Sequence, residues 1–436
     1  MNEHRTEAAC LLQDGALYRN RIGLEPTDRQ GDLIFAGFKA GAFSLYFGDA
    51  PIYHFDLEGR WQRAYLDGLH YLKGLDGTVH AIDRVREGPN LMLHRRKLAF
   101  GEAADLDAHI RSLALDLVGR LHSTALHGIF PPIEKAIPLT ISRLHDFLES
   151  ISRWDADAWF RHRERYTAIY GPLPFLPPDS PGAVVVQATL GHADGRTFGL
   201  ARAEKFYKRS HEEFRQHVRD VAELWGRRLA QTRSVFLAGD DVLHQPVSTV
   251  EAYLEAIASN LPSSRDAFEN EIRIDGAFTF LDDFEGIRHG VDDWRRLANR
   301  GLLRVNLGVE SGHPPIREIY KKSWHETSFR EIVSRIKAAG IGANVLTLVG
   351  AGGLDRAESH VEQTARLVES LDLGRGDFVF LLDEAEIRDS EASPAGFRSL
   401  PFDEKSEQQR RMIAAMASQK SRGVKVLPYR LEKQGI

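Results

Sequence analysis

One cysteine, Cys10, serves the whole 436-residue chain. A lone thiol excludes an intrachain disulfide and any cage of several thiolates built by this chain alone. No apolar run approaches the roughly 18 residues that a bilayer span needs, so no membrane segment is expected. The opening MNEHRTEAACLLQDGALYRN carries acids and no long apolar stretch, unlike a secretory leader. Neither charge sign dominates: 57 basic against 62 acidic residues leave a net charge of −5, which argues against bulk nucleic-acid binding. There is no Walker A loop, no G-x-S-x-G elbow and no H-E-x-x-H, so kinase, serine hydrolase and zincin chemistry have no local support. Internal repeats and low-complexity tracts are missing too. These absences together favour the cytoplasm.

What is present suits a soluble globular chain of two or three domains, with 42% apolar and 27% charged residues. From about Gly31 to Lys97, short aromatic and β-branched runs such as DLIFAGF, AFSLYFGD and RWQRAYLDG are punctuated by glycine turns. They predict a small β-rich domain over 1–100. Helical patterning starts near Glu102, with Leu113, Leu117 and Leu121 as a stripe, and resumes from Ser142 to Tyr170. The connector GPLPFLPPDSPG holds five prolines and closes a helical segment and linker over 101–182.

Beyond it, apolar runs alternate with helices: 183–190, 234–239, 271–276, 303–310, 343–350 and 377–383. Such runs predict a parallel sheet covered by helices. Ser210 with Glu213, and Ser328 with Glu331, read as capping boxes, and Gly340 as a helix stop. The expected fold is α/β: a partial (β/α)6 TIM-like barrel over 183–395, then a C-terminal helix and strand-like tail over 396–436. Its active face should be the C-terminal strand ends. There the sequence places His192, Asp194, Arg196 and Phe198, then Gly239, Asp240 and Asp241, then Asp275, Glu310 and Ser311, Gly350 to Gly353, and Asp383 with Glu384. Acids and glycines at such a mouth suit a small polar ligand. Polar residues also stand at strand ends simply because solvent begins there.

The runs SVFLAGDDVL, LRVNLGVESGHPPIREIYKKSW and IKAAGIGANVLTLVGAGG resemble the core of radical S-adenosylmethionine (radical SAM) enzymes of the Elp3-like kind, over about residues 165–390. The connector with the following AVVVQATLG resembles the entry to that core. The resemblance implies a loop after the first strand that carries three cysteines for a [4Fe–4S] cluster. Those positions read His192, Arg196 and Gly199. It further implies an aromatic beside adenine at Phe198, and a SAM amino-group segment at Gly239, Asp240 and Asp241. Glu310 and Ser311 would lie near ribose and the methionine carboxylate, and Val349, Gly350, Gly352 and Gly353 near adenine. Iron–sulfur clusters need soft thiolates, arginine is a permanent cation and glycine offers no ligand. No iron–sulfur cluster and no cluster-dependent radical chemistry are therefore expected.

Three readings follow. The first is a pseudoenzyme, regulator or partner subunit that binds SAM or a related nucleoside at the barrel mouth. The second is a metal-dependent or other non-radical enzyme, with His192 and Asp194 joined by Asp240, Asp241, Asp275 and Glu310 around a divalent ion. The third is an interaction scaffold acting through the N-terminal domain, with His54, Asp56, Arg60, Trp61, His70 and Tyr71 as its surface. Alternation along strands offers a plainer account of that last set, as core aromatics with a polar outer face. A nucleoside and a protein are the expected partners; nucleic acid and membrane are not.

Overall fold

The computed structural model describes residues 20–28, 31, 33–87, 90–129, 137–171, 173, 175–191, 206–239, 242–322, 324–386 and 398–429. Cys10, His192, Asp194, Arg196, Phe198, Gly199, Asp240 and Asp241 lie outside them. Two sheets organise the chain.

The first is a ten-stranded sheet whose body is an antiparallel meander from Asn20–Pro26 to Asn90–Lys97. Short turns join its strands. Asp67 and Gly68, at φ of 51° and 78°, connect Leu66 to Leu69 with the left-handed pair that a tight hairpin requires. The sheet starts earlier than the glycine-punctuated runs predict, because Asn20–Pro26 lacks clean alternation. Leu126–Ile129 and Ile137–Pro138 return to pair with that first strand. The helix Phe100–His122 buries Leu106, Ile110, Ala114 and Leu117 against the sheet, and leaves Leu113 and Leu121 at the margin of the expected stripe. The second helical stretch is two helices, Ile141–Ser152 and Ala156–Ile169. Asp155 separates them by accepting a hydrogen bond from the Ala158 N–H at 2.8 Å, which starts the second.

The second sheet is wholly parallel and runs in chain order. Its strands are β1 (Val184–Gln187), β2 (Ser234–Ala238), β3 (Gly276–Leu281), β4 (Leu302–Glu310), β5 (Gly342–Val349), β6 (Phe378–Asp383) and β7 (Lys425–Pro428). Between them lie α1 (His211–Trp225), α2 (Val247–Asn260), α3 (Val291–Asn299), α4 (Glu326–Ala338), α5 (Gly353–Glu369) and α6 (Phe402–Ala415). Sequential strand order with right-handed crossovers puts every helix on one face of the sheet. Val305, Leu307 and Val309 of β4 pack into the helical core on that face.

The other face carries Arg304, Asn306 and Asn344, as a two-residue period requires. Asn344 Nδ2 donates to Asn306 Oδ1 at 2.8 Å, and Asn306 Nδ2 to the Thr279 carbonyl at 3.2 Å. Arg304 donates to Asn344 Oδ1 at 2.9 Å and pairs with Asp179 of the proline-rich connector at 2.8 Å. Tyr429, just past β7, donates its hydroxyl to the Leu176 carbonyl of the same connector. Connector and chain end thus close over the helix-free face.

Three sequence expectations are corrected here. The run 271–276 is not the third strand: Glu271–Ile272 pairs with Ser264–Arg265, and β3 begins at Gly276. The alternation of Ile272 and Ile274 imitates a strand, whereas GAFTFL is the run that pairs with both β2 and β4. Helix α4 begins at Glu326, so Ser328 lies inside its first turn rather than capping it. Phe329, Ile332, Val333 and Ile336 are nevertheless its buried face. The tail supplies a seventh parallel strand, which edge pairing with β6 accounts for.

The two sheets meet through the loops that precede β2 and β3. The Arg60 guanidinium donates to the Leu224 and Trp225 carbonyls at 2.8 and 2.6 Å, at the C-terminal end of α1. Ala267 N–H donates to the Ala40 carbonyl at 2.7 Å. These loops lie at the N-terminal edge of the parallel sheet, opposite the strand ends of interest.

Candidate ligand site at the C-terminal strand ends

The geometry of the site starts with β4. Its last residue, Glu310, has φ of 57°, and Ser311 N–H closes back on the Val309 carbonyl at 2.6 Å. A three-residue turn with a positive central φ is the strained hand of the γ-turn. The pairing of β4 with β5 skips Val309 at this point. Such strain persists where surrounding contacts over-determine it. Here the Glu310 carbonyl accepts from Thr347 Oγ1 at 2.8 Å, and Gly312 N–H donates to Thr364 Oγ1 at 2.9 Å.

The turn aims Glu310 at Lys322, which follows the short helix Pro314–Ile319. Both are buried, and their charged atoms lie 3.2 Å apart. Lys322 Nζ also donates to the Asp282 carbonyl at 2.8 Å and lies 3.8 Å from the Asp282 carboxylate, just past β3. A side chain at Gly308 would start 1.9 Å from Asp282 Oδ1, so only glycine admits that carboxylate over β4. At the end of β6, buried Glu384 accepts from the Tyr320 hydroxyl, and Asp383 pairs with Lys405 at 2.7 Å. The result is two acids, Glu310 and Asp282, on the buried Lys322 ammonium, with Glu384 and Asp383 held by partners of their own.

Other sequence-predicted residues are tied into the fold. Ser311 hydroxyl lies 2.8 Å from His360 Nδ1, and His360 Nε2 lies 2.7 Å from the Leu348 carbonyl. Nε2 therefore carries the proton, and Nδ1 accepts from serine. Burial pushes the His360 pKa down to about 4. Val349 is buried as the last residue of β5. Gly350 N–H donates to Gln408 Oε1 of α6 at 2.6 Å. Gly352 caps α5 at φ of 81°, and Gly353 N–H closes on the Gly350 carbonyl at 3.1 Å. Gly239 follows β2 at φ of 139°, where a side chain would meet Thr189 Oγ1 at 2.1 Å. Thr189–Leu190, just past β1, pairs antiparallel with Tyr207–Lys208, and positions 192–205 between them lie outside the described residues.

Asp275 is a correction. It precedes β3, at the opposite edge of the sheet, and lies 3.8 Å from Arg233. Asp282 takes the strand-end position that the displaced strand had assigned to Asp275. Lys322 was missed because it sits in a short irregular segment with no periodic signal. The expected N-terminal surface is corrected in part. Asp56 and Arg60 form a buried ion pair at 2.6 Å and Trp61 is buried, while His70, Tyr71 and His54 stay half-buried; His54 Nδ1 lies 2.6 Å from Ser44 Oγ, with its pKa pushed down to about 4 by burial.

Close packing beneath the site gives a first test. A Cβ at Gly312 would lie 2.3 Å from the Gln363 carbonyl oxygen of α5, and backbone cannot yield as a side chain can. Gly312→Ala is expected to destabilise the protein by about 2 kcal/mol or more in urea titrations. A loss below about 0.5 kcal/mol would mean that α5 is free to move away.

No family model matches the sequence, and no curated protein does. Solved structures are found by fold. The radical SAM methyltransferase TsrM from Kitasatospora setae aligns over 46% of this chain and 36% of its own, at 13% identity and a TM-score of 0.33. Coproporphyrinogen III oxidase (HemN) from Escherichia coli aligns over 47% of this chain and 44% of its own, at 13% identity and a TM-score of 0.34. The FeFe-hydrogenase maturase HydG from Carboxydothermus hydrogenoformans aligns over 77% of both chains, at 15% identity and a TM-score of 0.36. The match to TsrM thus spans about a third of that enzyme. Among the described residues, no helix is long and apolar enough to cross a membrane.

Proposed function

We propose that this chain is a radical-SAM-type partial barrel without a [4Fe–4S] site, and that it binds SAM or a related nucleoside at its C-terminal strand ends. It would act there as a pseudoenzyme, a regulator or a partner subunit. The observation that carries the reading is the buried Glu310–Lys322 pair with the half-buried Asp282 beside it, held at the ends of β3 and β4 by a strained turn. Carboxylates so placed accept from ribose hydroxyls or an ammonium, and the lysine balances their charge. Residues Asp240, Asp241 and Phe198 would complete the site from neighbouring strand ends.

The donor set does not fit an iron–sulfur cluster. One cysteine in the chain falls short of the several thiolates that a four-iron cage requires. No radical step is therefore derived, and the proposed role is binding. The metal-dependent alternative, built on His192, Asp194, Asp240, Asp241, Asp275 and Glu310, loses Asp275.

Titration calorimetry of anaerobically purified protein tests the reading. SAM, S-adenosylhomocysteine or methylthioadenosine should bind at one site, and Glu310→Gln should weaken binding about tenfold, the loss of one charge-assisted hydrogen bond. Iron and sulfide should be absent. No heat with any of the three nucleosides, or an absorbing cluster that splits SAM, would overturn it.

A further inference from the structure

A cavity of about 610 Å3 opens in the N-terminal half, between the helices Phe100–His122 and Ala156–Ile169. It is separate from the strand ends of the parallel sheet. Its rim carries Phe100, Phe160 and Leu115, which are 68%, 54% and 44% exposed. Three large apolar side chains kept in water around one opening invite an apolar occupant. Its floor includes Trp159 and the buried Lys73, whose ammonium sits 3.4 Å from the Trp159 ring centroid.

The charges in the cavity are unevenly engaged. Lys73 pairs with Asp107, which also accepts from Trp61 Nε1 at 2.6 Å. Arg111 donates to the Ser152 carbonyl at 2.8 Å. Asp155 caps its helix, and Asp157 is exposed in the first turn, where the helix dipole favours an acid. Arg163 differs. Its guanidinium lies 4.7 Å from the Phe100 ring centroid, with no carboxylate partner among the described residues. Burial pushes the Lys73 amine down to about 8, so the floor is a weak site for further positive charge.

We propose that this cavity binds a planar aromatic ligand bearing one carboxylate, with its ring among Phe100, Phe160 and Trp159 and its carboxylate on Arg163. The volume accommodates a bicyclic ring, and small residues such as Ala104 leave the wall open. A guanidinium already stacked on an aromatic is oriented to meet a carboxylate edge-on.

Calorimetry on the full chain with indole-3-acetate, against its neutral isostere indole-3-acetamide, tests this. The acid should bind at one site, about tenfold tighter than the amide. Arg163→Gln should erase that preference. Ala104→Trp should fill the cavity and abolish binding of both; Ala108→Phe does the same should the first variant fold poorly. Methylthioadenosine binding should be untouched by either filling variant, which separates this cavity from the strand-end site. No saturable heat with indole-3-acetate would overturn the proposal. So would binding that survives both filling variants, or a charge preference that survives Arg163→Gln.

Discussion

Lowering the pH from 7 to about 4.5 should remove roughly 7 kcal/mol of stability, enough to unfold an ordinary domain. Histidines whose pKa burial lowers are responsible, and three of them alone give this figure. His217 accepts the Gln187 N–H on Nε2 at 2.9 Å, where β1 begins its turn, so a proton there breaks a strand-end contact directly. Burial, with Arg209 nearby, pushes its pKa down to about 3. Burial, with Arg60 nearby, holds His162 at about 3, and His360 is held at about 4 by burial. In the unfolded chain each titrates near 6.5. The unfolded state therefore binds more protons below that value, and stability falls as pH falls. The loss begins near pH 6.5 and continues down to the folded-state values. Two pH units below 6.5 cost roughly 2–3 kcal/mol for each histidine. Urea titrations across pH 7 to 4.5 measure this. His217→Gln, which keeps an acceptor that does not titrate, should flatten the slope. Stability constant within about 1 kcal/mol between pH 7 and 5 would refute the account.

Arg60→Ala should cost about 3–5 kcal/mol and divide unfolding into two transitions. Its guanidinium forms the buried pair with Asp56 and also covers two carbonyls at the end of α1. Truncation leaves a buried carboxylate without its cation and the helix end without its donors. Asp56 keeps two backbone donors, from Glu58 and Arg60 N–H groups at 2.9 and 3.0 Å, which limits the damage on its own side. The Arg60 contacts join two separate apolar cores, so the smaller meander should then melt first. Arg60→Lys should recover only part of the loss, because one ammonium cannot fork between a carboxylate and two carbonyls. Calorimetric scans of both variants decide it. A single unshifted transition in Arg60→Ala would show that the joint is held elsewhere.

Five of the six predicted parallel runs lie on strands, because strands buried on both faces read as plain apolar blocks. The sixth failed because Ile272 and Ile274 alternate as a surface strand does. That slip carried Asp275 into the candidate site and kept Asp282 out of it. The lysine that balances the acids was equally hidden: Lys322 is brought to Glu310 by a turn whose backbone angle leaves no mark in composition. Burial of Asp56 with Arg60 was likewise illegible, since a charged pair in a meander usually faces water, and the distant Leu224, Trp225 and Trp154 arrive to cover it. Local pattern reports which face of a strand is apolar; it does not report which distant segment arrives to cover a polar one.

The amide chain from Asp179 through Arg304, Asn344 and Asn306 to the Thr279 carbonyl crosses β5, β4 and β3 at right angles to the strands. Sliding β4 or β5 by a single residue would turn its amide toward leucines and valines and strand the neighbour's donor. Misaligned pairings are thereby penalised on both strands at once. The polar file works as a set of tumblers, and one alignment turns them all.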